Sequence, residues 1–395
     1  MQIKGFQTFV VGTAWRNLTY LILELSDGTV GVGEARVVRK TNTVRTFVDE
    51  VRGRVVGIDV FDIEEIYNRV TLDNYGAPGE VVMTGLALIE MAAWDCIGKL
   101  VGQPVYRLLG GKVTQKVPAY ANGWYTVERT AEDFAAAAKK VVQAGYRGMK
   151  FDPFGAGNLE LTREEFFKSI EIIRAVHSAV GEGIQLYIEM HGRFAPHQAI
   201  EIAKEIEPLR PAWIEEPCRP DDLGALQKVA THTSIPIATG ERLYSAAQFR
   251  DLFPMRCVDI IQPDINQCGG VLEVKKIAST AETYNVMVAP HNVGGIVSTT
   301  ANLHLMATLR NGKVLEHFND FADRFVKGAG SPYPEVVDGY FQLPSGPGWG
   351  IEVDIDFLRK AEGKKADGLY VDPGLSLFTS EDWIKRAQGT YEQSE

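Results

Sequence analysis

The chain has 395 residues, 45% of them hydrophobic and 23% charged, which places it among ordinary globular proteins and makes it too long for one small core. A net charge of −10 disfavours nucleic acid and anionic membrane as partners, since both reward basic surfaces. Four scattered cysteines form no CxxC pair, which argues against a zinc or redox site and a disulfide framework and points to a reducing, cytoplasmic setting.

The first 115 residues alternate strand-like runs, Leu18 to Glu24 and Thr29 to Glu34, with helical ones. "DGTVGVGEA" at 27 to 35 reads as a hairpin turn and an edge. A long helical stretch follows from about Val82 to Val101 and is stopped by the glycines of "LLGGK". Its apolar runs meet charges or glycine, so no transmembrane helix and no signal peptide are expected.

From about residue 116 short β-rich runs alternate with amphipathic helices. The runs are Val117 to Tyr120, Gly148 to Phe151, Gln185 to Glu189, Ala212 to Glu215, Pro236 to Thr239, Val258 to Gln262, Val286 to Pro290 and Val314 to Glu316. "AEDFAAAAKKVVQAGY", "REEFFKSIEIIRAVHSAV" and "GVLEVKKIASTAETYN" lie between them. A doubly wound sheet would read similarly strand by strand, but the count and even spacing favour a (β/α)8 barrel. After residue 320 the order gives way to the Gly- and Pro-rich segments "GAGSPYP" and "LPSGPGWGIEVD".

Each late strand ends in a titratable group: Glu189, Glu215, Glu241, Asp264, His291 and Glu316, spaced 23 to 27 residues apart. One βα unit is about that long, so each step advances one strand and returns to the same rim, the C-terminal mouth of the barrel. Carboxylates meeting there cannot all stay ionised without a counter-charge. A hard divalent cation resolves this, and Mg²⁺ is the default for carboxylates with substrate oxygens and water. Glu189, Glu215 and Glu241 are the expected ligands, strand alternation allowing only one of Glu215 and Glu216 in "WIEEP" to face inward.

Asp264 and His291 belong to neighbouring strands. An aspartate accepting from one imidazole nitrogen fixes the tautomer and raises the basicity of the other, which makes a general base. Lys150 ends the second strand, where it can contact a substrate carboxylate and offset the glutamates. Asp152 shares its face two residues on. "IEMHGRF" places His191 two residues after Glu189, on the same strand face, positioned to give or take a proton beside the metal.

"GVGEA", "AAWDCIGKLVGQPVYRLLGG", "WIEEP", "TGERL", "QPDINQCGG", "PHNVGG" and "PGWGIEVD", in this order and spacing, resemble the mandelate racemase branch of the enolase superfamily. "YANGWY", "KFDPFG" and "EMHGRF" look most like its gluconate and galactonate dehydratases. The resemblance implies an α/β fold: a modified TIM-like barrel, expected over 116–325, under an α+β capping domain built from 1–115 and a returning C-terminal segment, 326–395. It also implies a symmetric homo-oligomer, Mg²⁺ on a substrate carboxylate, and a base that removes the α-proton. Position by position, Glu189, Glu215 and Glu241 match the metal ligands, Asp264 and His291 the base dyad, and Glu316 the acid that hydrogen-bonds the enolate.

The racemase pattern carries Lys-x-Lys on the second strand, whereas this chain has Lys150 and then Asp152. Two-base racemisation loses a member, while His191 supplies an acid that dehydration requires. The expected activity is therefore a metal-dependent hydro-lyase acting on an acid sugar: His291 takes the C2 proton, Mg²⁺ and Lys150 hold the carboxylate, and His191 protonates the departing 3-hydroxyl. Asp152 and Arg193 are expected to read distal hydroxyls, and cap loops around Val11 to Trp15 and Asp73 to Pro78 to set specificity. The alternative is a racemase or epimerase of a hydroxy acid. A non-catalytic binding barrel fits the complete ladder poorly, and a metal-dependent hydrolase would recruit several histidines as ligands.

Overall fold

In a computed structural model, residues 1–13, 16–321 and 324–362 are described. The chain opens with an antiparallel meander, β1 (Ile3–Gly12), β2 (Asn17–Leu25) and β3 (Val30–Ala35), followed by helices α1 (Thr41–Val55), α2 (Ile63–Thr71) and α3 (Glu80–Leu100). The last of these lies directly on β3. A Cβ on Gly31 or Gly33 would overlap the α3 backbone, so the glycines of "GVGEA" are what lets helix and strand approach. By length and composition α3 could cross a membrane, yet 83% of its most apolar window is buried inside the protein. Its sequence lacks a narrow apolar stripe because it is packed on most sides.

After the short α4 (Val105–Leu108), eight strands run parallel in sequence order: β4 (Lys116–Ala121), β5 (Gly148–Phe151), β6 (Gln185–Glu189), β7 (Trp213–Glu215), β8 (Ile237–Thr239), β9 (Ile260–Ile261), β10 (Met287–Val288) and β11 (Leu315–His317). β11 pairs with β4 and a bridge from Val288 to Gly312 links β10 towards β11, closing the barrel. Between the strands lie α5 (Ala131–Gln143), α6 (Arg163–Val180), α7 (Pro196–Ile206), α8 (Leu223–Ala230), α9 (Ala246–Arg250), α10 (Leu252–Met255), α11 (Val271–Thr283) and α12 (Ile296–Ala307). β9 and β10 are ladders of two residues each, shorter than their apolar runs imply, although the flanking Asp259, Gln262 and Ala289 N–H groups still bond carbonyls of the neighbouring strands.

Tyr120, Tyr187, Trp213, Ala238, Ile260, Ala289 and Val314 form a packed floor inside the barrel. The Tyr187 and Trp213 rings stack with centroids 3.9 Å apart. Side chains one step further along the strands therefore meet above an apolar base.

The chain then returns through β12 (Gly330–Ser331), β13 (Val336–Val337), β14 (Tyr340–Gln342), β15 (Glu352–Val353) and α13 (Ile355–Ala361). β14 adds antiparallel to the start of β4. Trp349 of "PGWG" donates its indole N–H to Val32 O at 3.0 Å, and Val11 bridges Glu362, so the segment ends against the N-terminal sheet. Of the expected returning segment, 363–395 lies outside the described residues.

Candidate active site

The three glutamates of the ladder converge: one carboxylate oxygen each from Glu189, Glu215 and Glu241 lies within 4.8 Å of the others. Lys150 projects among them from β5, its Nζ 2.6 Å from Glu215 Oε1, 3.2 Å from Glu189 Oε2 and 3.1 Å from Glu316 Oε1. Burial alone would favour a neutral amine, but the surrounding glutamates outweigh it and hold the ammonium charged. From the floor, Trp213 Nε1 donates to Glu215 Oε2 at 2.9 Å and fixes that carboxylate.

One lysine is not enough charge for the cluster. Burial raises the Glu189 carboxyl to about 6, with Lys150 opposing and Glu241 adding to the rise, and it raises Glu215 well above the usual range, with the Glu189 charge adding to it. Glu189 Oε2 is buried with the Lys150 ammonium, 3.2 Å away and shared with two other glutamates, as its counter-charge. An all-oxygen set of buried, mutually repelling carboxylates fits a hard divalent cation such as Mg²⁺. Glu216 turns away, its backbone at φ 40°, and pairs with Arg242 Nε at 2.7 Å, so Glu215 is the inward residue of "WIEEP".

On one side of the cluster, His291 Nδ1 bonds Asp264 Oδ2 at 2.7 Å. Its Nε2 faces Glu241 Oε2 at 3.3 Å and Glu316 Oε2 at 4.0 Å. Burial would lower the imidazole, but Glu241, Glu316 and Asp264 together raise it to about 9. Burial likewise opposes the charge on Glu241, and His291, Lys150, Arg242 and His191 overcome it to hold that carboxyl at about 2. Glu316 is clamped by Asn122 Nδ2 at 2.7 Å and by the Asn292 N–H at 2.8 Å.

On the other side, His191 Nδ1 bonds Asp152 Oδ2 at 2.6 Å. The reason for its placement differs from strand alternation. β6 ends at Glu189, and His191 adopts φ 49°, a left-handed turn that sends its own N–H back to Glu189 Oε1 at 2.7 Å. Asp152 and Arg193, expected to read distal hydroxyls, bond each other beside His191. Arg193 Nη2 grips both Asp152 oxygens at 2.8 and 2.6 Å, and its Nη1 donates to Gly155 O at 2.7 Å. Asp152 thus holds His191 from behind and is itself held by Arg193.

Residues 6–110 match the family described as mandelate racemase / muconate lactonizing enzyme, N-terminal domain, and residues 133–357 match the enolase C-terminal domain-like family. The chain belongs to the mandelate racemase / muconate lactonizing enzyme family. It is 36% identical over 356 residues to the D-gluconate dehydratase of Thermoproteus tenax, covering 89% of this chain and 71% of that one. To the D-gluconate/D-galactonate dehydratase of Picrophilus torridus it is 34% identical, covering 87% and 88%. The solved mandelate racemase/muconate lactonizing enzyme from Jannaschia sp. CCS1 superposes with a TM-score of 0.85 at 31% identity, covering 92% of this chain and 98% of that one.

A cavity of about 280 Å³ opens over the cluster, reached by Lys150, His191, Glu241 and His291 from the barrel. From the cap, the family's other domain, Arg36, Val38 and Lys40 of the β3–α1 loop and Glu80 of α3 line it. Specificity was expected from the stretches around Val11 to Trp15 and Asp73 to Pro78. Val11 and Gly12 pair within β1, Ala14 and Trp15 lie outside the described residues, and Tyr75 of the 73–78 stretch points into solvent. Sequence reading also missed Asn122 and Trp213, although each had a signal: Asn122 follows a strand end in "YANGW", and Trp213 sits two residues before Glu215 on the same face.

Proposed function

We propose that this protein is a Mg²⁺-dependent dehydratase of an acid sugar, an aldonate such as gluconate or galactonate, giving the 2-keto-3-deoxy acid. The relatives named D-gluconate and D-galactonate dehydratase support the substrate class. The observation that carries the reaction is the pair of imidazole–carboxylate couples flanking one carboxylate cluster, His291 with Asp264 and His191 with Asp152.

Glu189, Glu215 and Glu241 would hold the cation, which supplies positive charge for a substrate carboxylate and for the oxyanion that develops on deprotonation. Lys150 adds a second, fixed charge. With Nδ1 committed to Asp264, His291 takes the C2 proton at Nε2. Glu316, held by Asn122 and the Asn292 N–H, stands 4.0 Å from that nitrogen and faces the enediolate oxygen. With Nδ1 committed to Asp152, His191 offers its Nε2 proton to the 3-hydroxyl, which leaves as water, and the resulting enol ketonises.

A semicarbazide screen for 2-keto acid across mono- and diacid sugars, with Mg²⁺ and again with EDTA, tests this. Signal from gluconate or galactonate that EDTA abolishes is the expected result. Deuterium entering C2 from solvent without loss of water would instead make the protein an epimerase, the second reading that paired imidazoles allow.

A further inference from the structure

The barrel helices differ in where their N-termini find hydrogen-bond acceptors. α5, α6 and α8 are capped by their own preceding residues: Thr130 accepts from the Asp133 N–H, Thr162 from Glu165 and Asp222 from Ala225. α11 and α12 follow the loops that carry Asp264 and His291, and each begins at a glycine with no local side-chain cap. Their acceptors come from the cap domain. Glu90 of α3 accepts from Val271 N at 3.0 Å and Leu272 N at 2.9 Å. Glu34 of β3 accepts from Gly295 N and from Val297 N at 3.0 Å.

The double glycines of "QCGG" and "VGG" make room for these visitors. A Cβ on Gly270 would overlap Glu90 Oε2, and one on Gly295 would lie 2.9 Å from Glu34 Oε2. From Glu34 a continuous set of contacts reaches the dyad. Val297 precedes Ser298, whose hydroxyl donates to Asn292 Oδ1 at 3.1 Å and accepts from Asn266 Nδ2 at 2.9 Å. Asn292 is the neighbour of His291, and the Asn266 N–H donates to Asp264 Oδ1 at 2.8 Å. Arg16, also from the cap, donates to Gly294 O at 3.2 Å.

We infer that Glu34 is a positioning residue for the His291–Asp264 couple, with Glu90 supporting the loop of its partner: the cap domain sets the geometry of the base, whereas Glu189 and Glu215 are set by the barrel strands. This rests on the reading of His291 as the base. Glu34→Ala is expected to lower kcat by about 100-fold, the cost of an ångström-scale misplacement, with KM and Mg²⁺ affinity by calorimetry within about twofold of the parent.

A readout independent of turnover is the downfield proton signal of His291 Nδ1–H, expected to shift or broaden in Glu34→Ala. A folded Glu34→Ala protein with parental kcat and an unchanged signal would overturn the inference, as would an equal fall in Mg²⁺ affinity. If Glu34→Ala does not fold, Glu34→Gln, which keeps one acceptor oxygen, must show a smaller loss in the same direction for the inference to stand. Full turnover by His291→Asn would remove the base reading instead, and the Nδ1–H signal would still decide whether Glu34 positions that ring.

Discussion

The two halves of the barrel rim are built by different rules. On the half that carries Glu189, Glu215 and Lys150, strand ends place the carboxylates, and helices begin locally, α5, α6 and α8 on their own threonines and aspartate and α7 on Pro196. On the half that carries Asp264 and His291, two-residue ladders run into long loops whose helices begin on carboxylates borrowed from another domain. A cation site needs only oxygens at a suitable separation, and a short parallel ladder delivers that. A proton-transfer couple needs two loops held in mutual register, and here a third body holds both.

The largest effect should come from the borrowed half. His291→Asn is expected to reduce turnover about 10⁴-fold while Mg²⁺ binding by calorimetry persists, because Glu189, Glu215 and Glu241 come from other strand ends and only Glu241 loses a contact, the His291 imidazole at 3.3 Å. Loss of metal binding in this variant would show that the halves are one unit.

Next comes a pH effect confined to the imported caps. Burial, only partly offset by the helix N–H groups they accept from, raises both Glu34 and Glu90 from 4.5 to about 7. The folded protein thus keeps protons that the unfolded chain releases. The stability this contributes is present in full below about pH 4.5 and is lost as pH rises through about 7. Chemical denaturation between pH 5 and 8 should show a decline on the order of a few kcal/mol, flattened in Glu34→Gln. An equally steep decline in that variant would place the titration elsewhere.

Asp152→Asn sharpens the contrast from the acid side. It removes the carboxylate that orients His191 but touches no strand ladder, so kcat should fall about 10- to 100-fold with KM little changed. The smallest effect belongs to a local cap: Thr162→Ala should cost about 1 kcal/mol in urea unfolding and leave kcat at the parental value.

Much of the first half was legible in the sequence and less of the second. Glu189, Glu215 and Glu241 could be placed because strand period and βα length are local regularities, and the end of β5 fixed Lys150 in the same way. His191 was found for an incomplete reason, since its left-handed turn leaves no mark in "EMHGRF" beyond the glycine that follows. Asp152 and Arg193 were visible as charges near the mouth. Their bond to each other, between residues 41 apart, was not. Glu34 and Glu90 carried no signal at all as helix caps, because the N–H groups they serve lie between 181 and 263 residues downstream. Only the double glycines hinted that something had to come close.

The membrane-like α3 gains a further meaning from that distance. During synthesis it emerges with Glu34 and Glu90 already made, while the helix ends that will satisfy those carboxylates are still unwritten. Contacts of such long range delay the payoff of early collapse. The boundary near residue 115 is therefore a division of architecture and not of cooperativity: cap and barrel should melt in one transition, and a ribosome-released fragment that stops short of α11 should leave the Glu34 and Glu90 carboxylates without the helix N–H groups that the whole molecule gives them.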